Sequence, residues 1–220
     1  MKILKDFIMT HTDVKGSTSL LIHLNCGCNL KCYKCYNYRD LVQNSSRLDW
    51  VDVCKLFEYL HRDASMYDAV IISGGEPTLC NDELINLSKQ LQQFNLKVIL
   101  NTNGTKPEIL KILIYEKLID KFYVDMKFPF FKNTFNNYNL IWEQIYGIPF
   151  NVKLQKRIYE SFKLLYKSSA DFELRTVRYP FLEQRFLNKY KGSVRTLNAM
   201  YDREINHQFN DFYEESRGVI

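Results

Sequence analysis

Short apolar runs alternate with amphipathic segments along most of this 220-residue chain, and that rhythm leaves few folds open. The runs SLLIHL (19–24), DAVIIS (68–73), LKVILN (96–101), KFYVDMK (121–127) and DFELRTV (171–177) each read as a buried strand. Between them, DWVDVCKLFEYLHRD carries Trp50, Val53, Phe57 and Leu60 at helical spacing, with Asp49 placed as an N-cap. DELINLSKQLQQF repeats the pattern through Leu84, Leu87, Leu91 and Phe94. Pro107 suits the first turn of a helix running to about Leu118. VKLQKRIYESFKLLYK supplies another helix before the last strand.

Strands alternating with helices of this length imply βα units around a parallel sheet. The chain has room for about five or six units, fewer than the eight of a closed barrel. The expected fold is therefore α/β, a partial (βα)5–6 TIM-like barrel open on one side. No internal repeat interrupts it, and the expectation is one domain over 1–220 with its core at about 18–180. Two stretches fit less well. Residues 128–150, rich in Phe, Tyr and Asn, read equally as a substrate-facing loop with a helix inside it or as a plain surface connection. Residues 191–220 read as a polar C-terminal extension.

Composition narrows the function classes. Hydrophobic residues make up 46% of the chain, and 15 Phe with 15 Tyr supply bulky core material. The balance of 30 Lys and Arg against 25 Asp and Glu gives +5 without a long basic run, so no nucleic-acid partner is expected. No stretch approaches the ~18 apolar residues of a membrane span, so no membrane is expected either. The opening MKILKDFIMTHTD has its apolar stretch broken by Lys5 and Asp6, too short for a signal peptide, which makes the expected location cytoplasmic. There, clustered cysteines more often bind metal or do chemistry than form disulfides.

The cluster is CGCNLKCYKC, residues 26–35, with four of the six cysteines. Cys28, Cys32 and Cys35 follow a CxxxCxxC spacing directly after the first strand, with Cys26 two residues earlier. Thiolates bind soft metals and iron–sulfur clusters. Three close cysteines suit three corners of a cubane cluster, and the fourth iron is left for another ligand. A zinc knuckle using all four, Cys26 included, is the alternative, and a chance group of buried thiols is a third. SGGEPT (73–78) follows the second strand, where Gly74 and Gly75 let backbone approach a ligand and Glu76 can accept from a cation. A plain βα turn is the bland alternative, made less attractive by its place beside the cysteine loop at the carboxyl end of a strand.

With these motifs in order, the chain resembles the radical S-adenosylmethionine superfamily. The later segments LNTNGTKPEIL, IDKFYVDMKFPF and FELRTV make it most similar to the activating enzymes of glycyl radical enzymes, especially those of anaerobic ribonucleotide reductase, over about residues 18–180. The resemblance implies a [4Fe–4S] cluster on Cys28, Cys32 and Cys35, and S-adenosylmethionine on its open iron. One electron then cleaves the sulfonium to a 5′-deoxyadenosyl radical that abstracts a hydrogen atom. It further implies cofactor contacts from Lys34, Asn37, Gly74, Gly75, Glu76, Asn101, Asp125, Lys127 and Arg175, with Glu76 on the methionyl ammonium and Lys127 and Arg175 near the carboxylate. An ordinary ion pair is an equal reading of Arg175.

Three positions depart from the pattern. Lys34 stands where an aromatic usually precedes the last cysteine, Tyr36 replaces a His, and Asn101 replaces an Asp, which removes one charge from any cation site. Cys26 falls outside the pattern and reads as an ordinary small residue, with Cys54 and Cys80 as buried or incidental thiols. His11, His23, His61 and His207 share no site. The implied partners are a glycyl radical enzyme, expected to be anaerobic ribonucleotide reductase, and an electron donor such as flavodoxin or ferredoxin. Two other functions remain open: a small-molecule radical enzyme such as 7-carboxy-7-deazaguanine synthase, and a non-catalytic iron–sulfur interaction module.

Overall fold

The computed structural model describes residues 1–129 and 137–212. Its centre is a run of six parallel strands: β3 (Ser19–Leu24), β5 (Ala69–Gly74), β6 (Lys97–Thr102), β7 (Lys121–Asp125), β8 (Asp171–Arg178) and β9 (Asn206–Asp211). Parallel neighbours need a crossover. These are α1 (Cys54–Asp63), α2 (Asn81–Leu91), α3 (Pro107–Tyr115), α5 (Val152–Lys167) and α6 (Gln184–Tyr201). Beyond β3 the sheet continues antiparallel through β1 (Lys2–Leu4) to β4 (Trp50–Asp52), and β2 (Ile8–Thr10) also pairs with β3. The two ends of the sheet, β4 and β9, do not pair with each other among the described residues. The barrel is partial and open, as expected from the number of units.

The five strands read from the sequence form where the apolar runs lie, because runs such as Ala69–Gly74 are buried along their whole length. Three expectations change. The helix expected from Asp49 starts later. Trp50, Val51 and Asp52 pair with β1, and α1 begins at Cys54, whose N–H is accepted by Asp52 Oδ1 at 3.1 Å. Aromatic and β-branched residues favour the pleated edge here, and Asp52 takes the capping role assigned to Asp49. The N-terminal strands β1 and β2 escape notice because three-residue strands carry no readable period.

The third change is at the other end. The stretch from 191 is no loose tail through residue 212: α6 buries Phe186, Tyr190, Val194 and Leu197, and β9 lies in register against β8 from Glu173 to Arg178. Edge strands are half solvated, so Asn206–Asp211 shows mostly polar residues and hides its role. Residues 213–220 lie outside the described residues.

Within 128–150, residues 130–136 also lie outside the described residues. The rest contains α4 (Tyr138–Tyr146), which buries Tyr138, Trp142, Ile145 and Tyr146. Trp142 stacks on Tyr146 with ring centroids 4.0 Å apart, and Phe128 and Phe150 close on Trp142 at 5.4 and 5.2 Å. That half of the stretch is core, and it seats the cysteine loop.

Candidate active site

The parallel strands end on one side of the sheet in a set of loops held together by backbone contacts. The first loop leaves β3 at Leu24 and carries the cysteines. It lies on the end of α4: Lys31 N–H donates to Tyr146 O at 3.0 Å and Tyr33 N–H to Ile145 O at 3.1 Å. Gly147, which ends α4 at φ +64°, makes this seat. A Cβ there would stand 1.8 Å from the Lys31 carbonyl oxygen. The second contact is at the glycine turn after β5. Glu76 N–H donates to Gly27 O at 2.8 Å, and a Cβ on Gly75 would come within 2.1 Å of that same oxygen. Asn37 Nδ2 donates to Gly74 O at 2.7 Å, closing the loop's far end on the same turn.

Glu76 binds the next loop. Its side chain is buried at 1% exposure, and protein donors meet both oxygens of its carboxylate. Oε1 accepts from Thr78 N–H at 3.2 Å, from the Thr78 hydroxyl and, at 2.7 Å, from Thr102 Oγ1. Oε2 accepts from Asn103 N–H at 2.6 Å. Burial raises its pKa, and these donors work against that rise. Asn103 in turn donates to Asn29 Oδ1 at 3.1 Å, and Asn29 to Thr105 Oγ1 at 2.9 Å, so the loop after β6 is tied back to the cysteine loop.

On β7, Asp125 Oδ2 accepts from Lys127 Nζ at 2.7 Å. Burial opposes the charge on Lys127, yet Asp125 and the nearby Cys32 hold its pKa well above the ordinary value. On β8, Arg175 sits over Tyr123, with its guanidinium carbon 3.3 Å from the ring centroid. It donates to Glu173 Oε1 at 3.3 Å and to Asp13 O at 3.2 Å. The ion pair foreseen as one reading of Arg175 is present.

These elements surround a cavity of about 190 Å³. Asn37, Gly74, Gly75, Glu76, Asn101, Asp125 and Arg175 all line it, and they come from five separate segments of the sequence. Lys34, Lys127 and the cysteines do not line it. Lys34 has φ +43°, and its ammonium sits 5.6 Å from the Tyr33 ring. Tyr33 itself packs on Phe181 at 5.1 Å and Tyr179 at 6.1 Å. The sequence reading assigned no site role to Ser73, Pro77, Thr102, Asn103, Tyr123 or Asn210, which complete the lining. Tyr123 lay inside a recognised strand and its inward face was readable. Asn210 belongs to β9, which was not recognised.

Cys28, Cys32 and Cys35 are free thiols. Burial pushes Cys28 up to about 11 and Cys32 up to about 12, with Lys127 pulling both back. Among the described residues, no group of three or more His, Cys, Asp or Glu side chains is gathered as a ready metal site. The donor set fits an iron–sulfur cluster in kind and number: three unbridged thiols on one loop. The cavity fits an amino-acid head group. Two glycines, Asp125 and Arg175 line it, and Asn101 Oδ1 is buried without a partner.

Two cysteines depart from expectation. Cys26 and Cys80, read as an ordinary small residue and a buried or incidental thiol, are joined in a disulfide with their Cα atoms 5.3 Å apart. Residues 54 apart in sequence meet because the Gly27–Glu76 bond brings their loops together. Cys54, read as a buried or incidental thiol, is free and exposed.

No helix among the described residues is long and apolar enough to cross a membrane. Two curated proteins of Methanocaldococcus jannaschii provisionally named glycyl-radical enzyme activating enzymes are similar to this chain. One is 35% identical over 106 residues, covering 48% of this chain and 42% of its own length. The other is 31% identical over 127 residues, covering 57% and 46%. The matched stretches thus span under half the length of each relative. A solved structure of tagged anSMEcpe with bound AdoMet shares the fold at a TM-score of 0.60, with 21% identity over 91% of this chain and 54% of that one. Residues 22–137, which include the cysteine loop, the glycine turn and the strands β6 and β7, match the Radical SAM superfamily. With more than half its length in that match, the chain belongs to the radical SAM superfamily and is a radical SAM enzyme.

Proposed function

We propose that this enzyme installs a glycyl radical on a partner protein. Cys28, Cys32 and Cys35 would hold a [4Fe–4S] cluster, and the cavity beside them the methionyl end of S-adenosylmethionine. The observation that carries the cofactor reading is the convergence of Asn37, Gly74, Gly75, Glu76, Asn101 and Asp125 on one cavity at the carboxyl ends of the strands. The names of the curated relatives support the activase reading.

When bound, the reduced cluster and S-adenosylmethionine supply a 5′-deoxyadenosyl radical. The chain's own contribution is placement. The glycine turn would let the cofactor approach its backbone closely, while Glu76 ties that turn to the loop after β6. Asn101 Oδ1 adds an acceptor. Arg175, set over Tyr123, presents a cation to a carboxylate. Lys127 and Asp125 form a neutral pair beside the loop. The open side beyond β9 would admit a flexible glycine-bearing segment of the partner, expected to be anaerobic ribonucleotide reductase.

The test is anaerobic reconstitution with iron and sulfide, a chemical reductant in place of the donor, and candidate glycyl radical enzymes. Cleavage of S-adenosylmethionine together with a glycyl radical doublet on the partner, read by electron paramagnetic resonance, is expected. Cleavage with no radical on any such partner would redirect the assignment to a small-molecule substrate.

A further inference from the structure

The Cys26–Cys80 pair has no part in the proposed function, yet it sits at the base of the loop that function depends on. Cys26 is two residues before Cys28, and Cys80 immediately precedes α2. Both are packed partly against the core and partly open. Their Cα separation of 5.3 Å lies within the ordinary range for a disulfide. Meanwhile Cys28, Cys32 and Cys35 stay unbridged, although Cys26 shares their loop. The fold brings a fifth cysteine from a different element to the one loop cysteine that the cluster does not use.

We infer that Cys80 is a sequestering partner for Cys26: under oxidation it draws Cys26 into a reversible disulfide and so keeps Cys26 from bridging to a cluster ligand. Two features favour Cys80 as the attacking group. It stands at the N-terminus of an 11-residue helix, where the aligned amides stabilise a thiolate, and it is partly accessible. With a low-molecular-weight disulfide such as oxidised glutathione as oxidant, the Cys80 thiolate attacks one sulfur and releases one glutathione thiolate. The Cys26 thiolate then displaces the second. One protein disulfide forms, one glutathione disulfide is reduced to two thiols, and the two protons lost by the cysteines go to the released thiolates. The products leave Cys28, Cys32 and Cys35 as thiols, ready for iron.

The inference rests on the proposed function only for the role of Cys28, Cys32 and Cys35. A disulfide map made on metal-free protein tests the pairing apart from that role. The full chain, freed of metal by chelation, is equilibrated with oxidised glutathione, alkylated and mapped by peptide mass spectrometry without reduction. Cluster recovery is then measured after adding ferrous iron and sulfide anaerobically.

The wild type is expected to show Cys26 linked to Cys80, alkylated Cys28, Cys32 and Cys35, and full recovery. In C80S, Cys26 is expected to be linked to a cluster cysteine, with recovery reduced in proportion to the linked fraction. C26S/C80S should recover like the wild type, and matching circular dichroism of all three proteins controls for folding. Links among Cys28, Cys32 and Cys35 in the wild type would overturn the inference. So would C80S protein that recovers its cluster fully with Cys26 free or bound only to glutathione.

Discussion

The Glu76 carboxylate accepts the backbone N–H of Asn103 at 2.6 Å, which makes one glycine turn the anchor for the loop of the next strand. A group that a ligand was expected to occupy is thus already committed to the protein through four hydrogen bonds. These bonds tie the turn after β5 to the loop after β6.

Glu76→Gln should therefore destabilise the apoprotein as well as weaken cofactor binding. A Gln amide nitrogen would face donors where an acceptor is needed, and each buried donor left unpaired costs about 1–3 kcal/mol. Chemical denaturation of apoprotein should show this loss before any cofactor is added. An E76Q protein with wild-type apo stability and weakened cofactor binding would restore the direct ammonium contact.

Gly147→Ala should disable the cysteine loop while leaving the sheet intact. The new Cβ meets a backbone oxygen at 1.8 Å, so Lys31 and the loop must move. Gly16→Ala is the control, since Gly16 also has positive φ (+74°) but has open space around it. That control should lose only about 1–2 kcal/mol from the left-handed backbone. Iron content after reconstitution is the measurement: low in G147A, normal in G16A.

Acid should loosen β9 through His207. Burial, with help from Lys191, lowers its pKa from 6.5 to about 4, and its ring nitrogen lies 2.9 Å from Thr176 Oγ1 on β8. A depressed pKa favours the neutral form in the folded state, so this stabilisation is present above pH 6.5 and is lost as pH falls toward 4. The protection of amides 206–211, taken relative to their intrinsic exchange rates at each pH, should fall across that window. In His207→Gln the fall should be smaller.

Potassium or sodium should stimulate S-adenosylmethionine cleavage little. Asn101 carries no charge, and the carboxylate on β7, Asp125, is neutralised by Lys127 at 2.7 Å. Cleavage measured across monovalent salts at fixed ionic strength checks this. Strong selectivity for one cation would show that Asp125 leaves Lys127 when ligand binds.

The strands β3 and β5 to β8 were legible because buried parallel strands are apolar along their length, and the helices between them keep a 3.6-residue period. Much of the cavity's lining was legible too, since Glu76 and Asp125 sit in short motifs at strand ends and Asn37 closes the cysteine motif. What the sequence hid is whatever depends on an edge or on meeting a distant segment. Strand β9 has a polar composition because one side faces solvent, and Asn210 was lost with it. The Cys26–Cys80 pair needs the Gly27–Gly75 approach to exist before cysteines 54 positions apart can be bridged. Gly147 carries no reading of its own in the sequence, although its missing side chain seats the cysteine loop.

That missing side chain bears on how such a chain can drift. The loop's grip depends on two absent methyl groups, at Gly75 and Gly147, each opposite a loop carbonyl. Side chains at solvent-facing loop positions such as Asn25 and Lys31 can be exchanged at little cost, because the seat is made of backbone. Lineages should therefore diverge freely in loop spelling while these two glycines, 72 positions apart by subtraction of their numbers, stay fixed together. A survey of descendants that tracked only the cysteines would miss which copies have lost their purchase on the cluster loop.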